Sequence, residues 1–128
     1  MRRSLRWLSI FCAALSLIGT VARADFSAAM KIYQEQRFEE AKTAFEVLAA
    51  VGDRESLFNL GVMYYRGEAV AQNPEKAYAL MFLANKDYDQ KHLGDLVSKV
   101  YASFSEQQRE KAAKWIEELS PSYDIAII

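Results

Sequence analysis

Two helix openings, Phe38-Glu39-Glu40-Ala41 and Asn73-Pro74-Glu75-Lys76-Ala77, set Ala41 and Ala77 36 residues apart. A fixed period between about 20 and 50 residues marks stacked supersecondary units. Each unit buries its apolar face against its neighbours, and the surface so built usually holds another protein rather than enclosing a reaction.

Residues 1–24 read as an export signal. Arg2, Arg3 and Arg6 open it, an apolar stretch runs from Leu8 to Ile18, and Ala22-Arg23-Ala24 offers small residues for cleavage after Ala24. The apolar run is shorter than the roughly 18 to 20 residues that span a bilayer, which favours cleavage over a retained anchor and speaks against stable membrane insertion afterwards. Cys12 follows the bulky Phe11 and reads as filler of the apolar stretch, not as a lipidation site. Cleavage removes Arg2, Arg3, Arg6 and Arg23 and no acid, leaving 12 of the 16 basic side chains against 17 acidic ones, a net charge of −5. An acidic surface of this kind does not track phosphates, so nucleic acid is not an expected partner. With Cys12 the single cysteine, the mature chain has no disulfide, thiolate nucleophile or cysteine-bound metal. The expected location is the periplasm or the extracellular space.

From Phe26 to Leu119 apolar residues recur at three and four, which predicts six helices and no strand. The first runs from Phe26 to about Gln36 behind the capping residue Asp25, and the second from Phe38 to Val51, ended by Gly52. The third runs from Arg54 to Arg66, with Asp53 before it and Gly67 after it. Asn73-Pro74 opens the fourth, which reaches about Lys86, because proline suits the first helical position. Asp89 is the expected cap of the fifth, Gln90 to Ala102. Ser105-Glu106-Gln107-Gln108 has the capping-box form and starts the sixth, which reaches Leu119 before Pro121 stops it. The organisation is therefore a signal over 1–24, a helical domain over 25–120 and a tail over 121–128 with the apolar end Ile125-Ala126-Ile127-Ile128.

Ser56, Leu60, Gly61, Tyr64, Gly67, Val70, Lys76, Ala77 and Ala84 fall at the spacing of the Sel1-like repeat, a relative of the tetratricopeptide repeat, and this segment resembles that family. Departures are Ala69 for a usual glycine, Asn73 for aspartate, Leu80 for tryptophan and Asn85 for a second alanine. The first unit looks closer to a plain tetratricopeptide repeat, since Tyr33 to Ala41 is 8 residues where Tyr64 to Ala77 is 13. A third, degenerate unit keeps Leu93-Gly94 but has Val97 in the tyrosine's place. The resemblance implies an all-α, short helical-repeat solenoid, an α/α superhelix of about two and a half repeats. Gly61 and Gly94 would let a neighbouring helix approach closely, with Leu60 and Tyr64 packing one turn apart. Glycine inside a helix costs about 0.5–1 kcal/mol relative to alanine, so two at matching places suggest a packing benefit.

In this type of repeat the first helix of each pair lines the concave side, which makes Lys31 and Gln34, then Glu55, Phe58, Val62, Tyr65 and Arg66, then Lys91, Asp95 and Ser98 the candidate partner-binding residues. Phe58, Val62 and Tyr65 form an apolar stripe distinct from the Leu57, Leu60, Gly61, Tyr64 stripe. Two readings of it compete: a surface covered by a partner, or a helix enclosed by neighbours on all sides. In a third, the Ile125 to Ile128 end lies in the groove as a placeholder.

Residues with chemical potential lack company. His92 is the single histidine, Glu39-Glu40 and Glu117-Glu118 are adjacent pairs pointing about 100 degrees apart, and Asp87 and Asp89 flank a turn. No phosphate loop, nucleophile elbow or zinc motif is present, and no cofactor is expected. Trp115 reads as a core plug of the last helix. The expected function is a non-enzymatic, exported protein-protein interaction module, an adaptor or regulator of a bacterial envelope complex. The alternatives are a self-associating structural protein and an enzyme of unrecognised type.

Overall fold

The structure, a computed structural model, describes residues 25–86 and 90–123. The export signal with Cys12, the turn residues Asp87 and Asp89, and the Ile125 to Ile128 end lie outside the described residues. The described residues form six helices and no strand: α1 (Phe26–Gln34), α2 (Phe38–Ala50), α3 (Arg54–Arg66), α4 (Pro74–Asn85), α5 (Lys91–Ser103) and α6 (Glu106–Tyr123). This is a short helical-repeat solenoid.

Side chains at the starts set most of the boundaries. Asp25 Oδ1 accepts from the Ala28 amide at 2.8 Å, Asp53 Oδ2 from the Ser56 amide at 3.2 Å, and Asn73 Oδ1 from the Lys76 amide at 3.0 Å. The capping box closes in both directions: Ser105 Oγ accepts from the Gln108 amide at 3.2 Å, and Gln108 Oε1 from the Ser105 amide at 3.0 Å. Gly67 ends α3 in the left-handed conformation at φ 72°, and Gly52 takes φ 98° after α2.

Two other turns place side chains in the same region of φ: Gln36 at 61° and Ala69 at 60°. Left-handed backbone costs a non-glycine residue roughly 1–2 kcal/mol. Gln36→Gly is therefore expected to raise the unfolding free energy by about 0.5–1 kcal/mol, measured by urea denaturation, after the entropic cost of glycine. Ala69→Gly should gain less, because the Ala69 methyl packs on the core.

The end of α6 corrects the sequence expectation. Pro121 lies inside the helix, which continues to Tyr123. Proline removes one amide, but the carbonyl it abandons belongs to the exposed Glu117, where water can serve it. Tertiary contacts hold the last turn: Tyr123 packs on the core, and Arg54 Nη1 donates to its carbonyl at 3.3 Å and to that of Leu83 at 2.9 Å.

The core centres on α2, α3 and α4, where Phe45, Leu57, Met63, Leu80 and Leu83 are fully buried. The most extensive seam is α3 against α4, and Gly61 makes it possible: a Cβ there would stand 2.8 Å from Met81 Cγ and 3.0 Å from the Ala77 carbonyl oxygen. At Gly94 the approach is looser, with Asn85 Nδ2 at 3.3 Å the one near neighbour. α6 lies along α4 and α5 makes a smaller contact with α4, so the third helix pair is splayed. α5 consequently buries only Val97 and Val100.

Candidate functional site

Splaying leaves a hollow on each flank of α5. The first, 220 Å³, lies between α3 and α5 and is lined by Val62, Tyr65, Arg66, Met81, Leu96 and Val100. Met81 and Val100 are buried, Val62 is half-buried, and Tyr65 and Leu96 are each 43% exposed. Tyr65 and Leu96, on facing helices above the buried Met81 and Val100, make one contiguous apolar patch that another surface can cover.

Three of the ten sequence candidates, Val62, Tyr65 and Arg66, meet here. Phe58 does not: at 8% exposure it belongs to the core, so the stripe on α3 is sealed at its N-terminal end and opens only toward its C-terminal end. Glu55 is half-buried in the first turn of α3, and Lys31 and Gln34 are exposed on α1 without lining the hollow. Lys91, Asp95 and Ser98 line a second hollow, between α4 and α5, with Tyr78, Phe82, Asn85, Gly94, Val97 and Tyr101. The flank of α5 facing α3 is instead Leu96 and Val100, which the sequence reading missed. Their i, i+4 spacing is a legible signal, but it merges with the Leu93, Val97, Val100 stripe that faces the core.

A polar cluster fixes one rim of the first hollow. Tyr33 of α1 donates its hydroxyl to Glu68 Oε2 at 2.7 Å and accepts from Arg66 Nη1 at 3.0 Å, while Arg66 and Glu68 stand 3.8 Å apart. Burial, and next the Glu68 hydrogen bond, raise the Tyr33 pKa above its ordinary 10.0. Burial does the same for Tyr78 and Tyr123. A raised folded-state pKa means stability that is intact below the free phenol's value and lost as pH climbs through the folded one. Chain stability is expected to fall above about pH 10, and Tyr33→Phe should make the fall shallower while costing about 1–2 kcal/mol at neutral pH.

On the opposite side of α4, Lys76 Nζ stands 4.4 Å from the Tyr64 ring centroid and 4.8 Å from that of Trp115. Trp115 is therefore not a core plug. It is half-buried and its ring covers the Lys76 ammonium group. His92 and the pairs Glu39-Glu40 and Glu117-Glu118 are exposed. Among the described residues no three His, Cys, Asp or Glu side chains are grouped to hold a metal, and no helix is long and apolar enough to cross a membrane. What the first hollow offers is apolar cover edged by a guanidinium.

Comparison with known proteins gives one short similarity. The chain is 40% identical over 67 residues to a protein of Helicobacter pylori named putative beta-lactamase HcpC, a match covering 49% of this chain and 23% of that relative. The chain thus spans less than a quarter of the curated relative it matches. No family model matches the sequence, and no solved structure matches it.

Proposed function

We propose that the chain is an exported Sel1-like repeat protein that binds another protein through the hollow between α3 and α5, as an adaptor or regulator in the cell envelope. The observation carrying this is the pair Tyr65 and Leu96, both 43% exposed over the buried floor of Met81 and Val100. With 43% of each still exposed, covering either side chain is worth roughly 0.6–1.3 kcal/mol before association costs, so the two together make a modest anchor. Apolar residues inside a polar rim are the ordinary anatomy of an interaction surface.

The test is crosslinking of the protein in its native envelope, with Tyr65→Ala plus Leu96→Asp as the control. One specific product lost in the double variant supports the hollow. An unchanged product pattern overturns it, and a product twice the chain's own mass assigns the hollow to self-association. Export is tested by the N-terminus of the protein recovered from that fraction, which should be Asp25.

The relative's name raises hydrolysis of β-lactams as a second reading. Serine enzymes of that class present S-x-x-K, and no lysine of this chain follows a serine at that spacing. A chromogenic β-lactam is expected to be hydrolysed no faster with the protein than without it.

A further inference from the structure

The second hollow, 450 Å³ between α4 and α5, has walls unlike those of the first. Three aromatic rings contribute: the Tyr78 centroid is 5.2 Å from Tyr101 and 6.0 Å from Phe82. Tyr101 is 40% exposed, so part of its surface is open. The rest of the lining is rich in acceptors. Asp95 is exposed with no ion-pair partner among the described residues, Ser98 stands one turn from it, and Asn85 Oδ1 is buried with no donor. A cation from this chain already sits against the same ring system, the Arg109 guanidinium of α6 lying 4.7 Å from the Tyr101 centroid. Ring faces attract cations through their quadrupoles, and a free carboxylate beside them supplies a counter-charge.

We propose that this hollow receives the cationic head of an arginine or lysine side chain from a partner protein. The half-buried Phe82 and the exposed Tyr101 flank the cation, with the buried Tyr78 ring behind them, and Asp95 pairs with it. Asn85, whose Oδ1 is buried with no donor, stands in the same lining. Lys91, also in the lining, opposes the incoming charge and limits the affinity. A protein is favoured over a small amine as the source because the two hollows flank one helix, so a single segment crossing α5 reaches both.

The test is a titration of the isotope-labelled chain followed by NMR. The probes are N-acetyl-arginine-methylamide, its lysine counterpart, the uncharged citrulline analogue and a short arginine-containing peptide. Saturating shifts are expected at Gly94, Asp95 and Ser98, with the citrulline analogue bound about tenfold more weakly than the arginine probe. Asp95→Asn, at an exposed position, should weaken the arginine probe about fivefold and Tyr101→Ala about tenfold, whereas Lys91→Gln should tighten it about twofold. Asn85→Ala should weaken binding while raising stability, since it removes a buried acceptor without a partner. Tyr65→Ala should leave the probe's affinity unchanged, so failure here is distinguishable from failure of the first hollow. Equal binding of the arginine and citrulline probes, or an Asp95→Asn variant that binds normally, overturns the proposal. Single amino-acid probes held as tightly as the peptide assign the hollow to a small molecule and overturn its partner-protein reading.

Discussion

Gly61→Ala should lower the unfolding free energy by about 1–2 kcal/mol, although alanine is the better helix former by about 0.5–1 kcal/mol. The new methyl would meet Met81 Cγ at 2.8 Å, the Ala77 carbonyl oxygen at 3.0 Å and Leu80 Cβ at 3.3 Å. Met81 can swing away, but the Ala77 oxygen is backbone and moves only if α3 and α4 separate. Separation thins the largest seam of the fold. Gly61→Leu, with three further carbons in the same place, should leave no cooperative unfolding transition. The matching glycine of the next unit should behave in the opposite way. A Cβ at Gly94 meets a single side-chain atom, Asn85 Nδ2 at 3.3 Å, and no backbone, so Gly94→Ala should gain about 0.5 kcal/mol from helix propensity. Urea denaturation of the two variants side by side reads both signs.

The second large effect is expected at Phe45. Its side chain is fully buried, and its ring stands 6.2 Å from Phe26 and 6.1 Å from Tyr33, so it joins α1 to α2. Phe45→Ala should cost about 3–5 kcal/mol through lost transfer energy and the cavity left behind. For a domain of this size, with a total stability of about 5–15 kcal/mol, that places folding near its margin at 37 °C. Loss of α1 should precede loss of the rest, because Phe26 and Tyr33 of α1 both pack against this ring. Proteolysis under native conditions checks this, with early cleavage near Arg37 as the expected result.

Much of the fold was legible where a side chain or a glycine acts within one turn of itself. Asp53 and Gly67 bracket α3 at the residues anticipated, and the Ser105–Gln108 box starts α6 where its pattern says. The misreadings all depend on distant partners. Pro121 fails to end α6 because Arg54, 67 residues earlier in the chain, takes hold of the backbone beyond it. Phe58 disappears into the core although its spacing matches Val62 and Tyr65, since enclosure varies along a helix and periodicity does not report it. Lys91, Asp95 and Ser98 were expected beside the α3 stripe because the first helix of each repeat pair lines the concave side. With α6 along α4, that flank belongs to Leu96 and Val100.

An apolar surface left over by folding contributes little to folding, and this gives the most direct measurement. Unfolding free energies of Tyr65→Ser and Leu96→Ser, taken by chemical denaturation, should each fall by only about 1–1.5 kcal/mol, for the part of each 43%-exposed side chain that folding already covers. A loss of about 3 kcal/mol or more at either position, the cost of truncating a core side chain, would show that the flank between α3 and α5 is interior, contradicting its role as the partner surface.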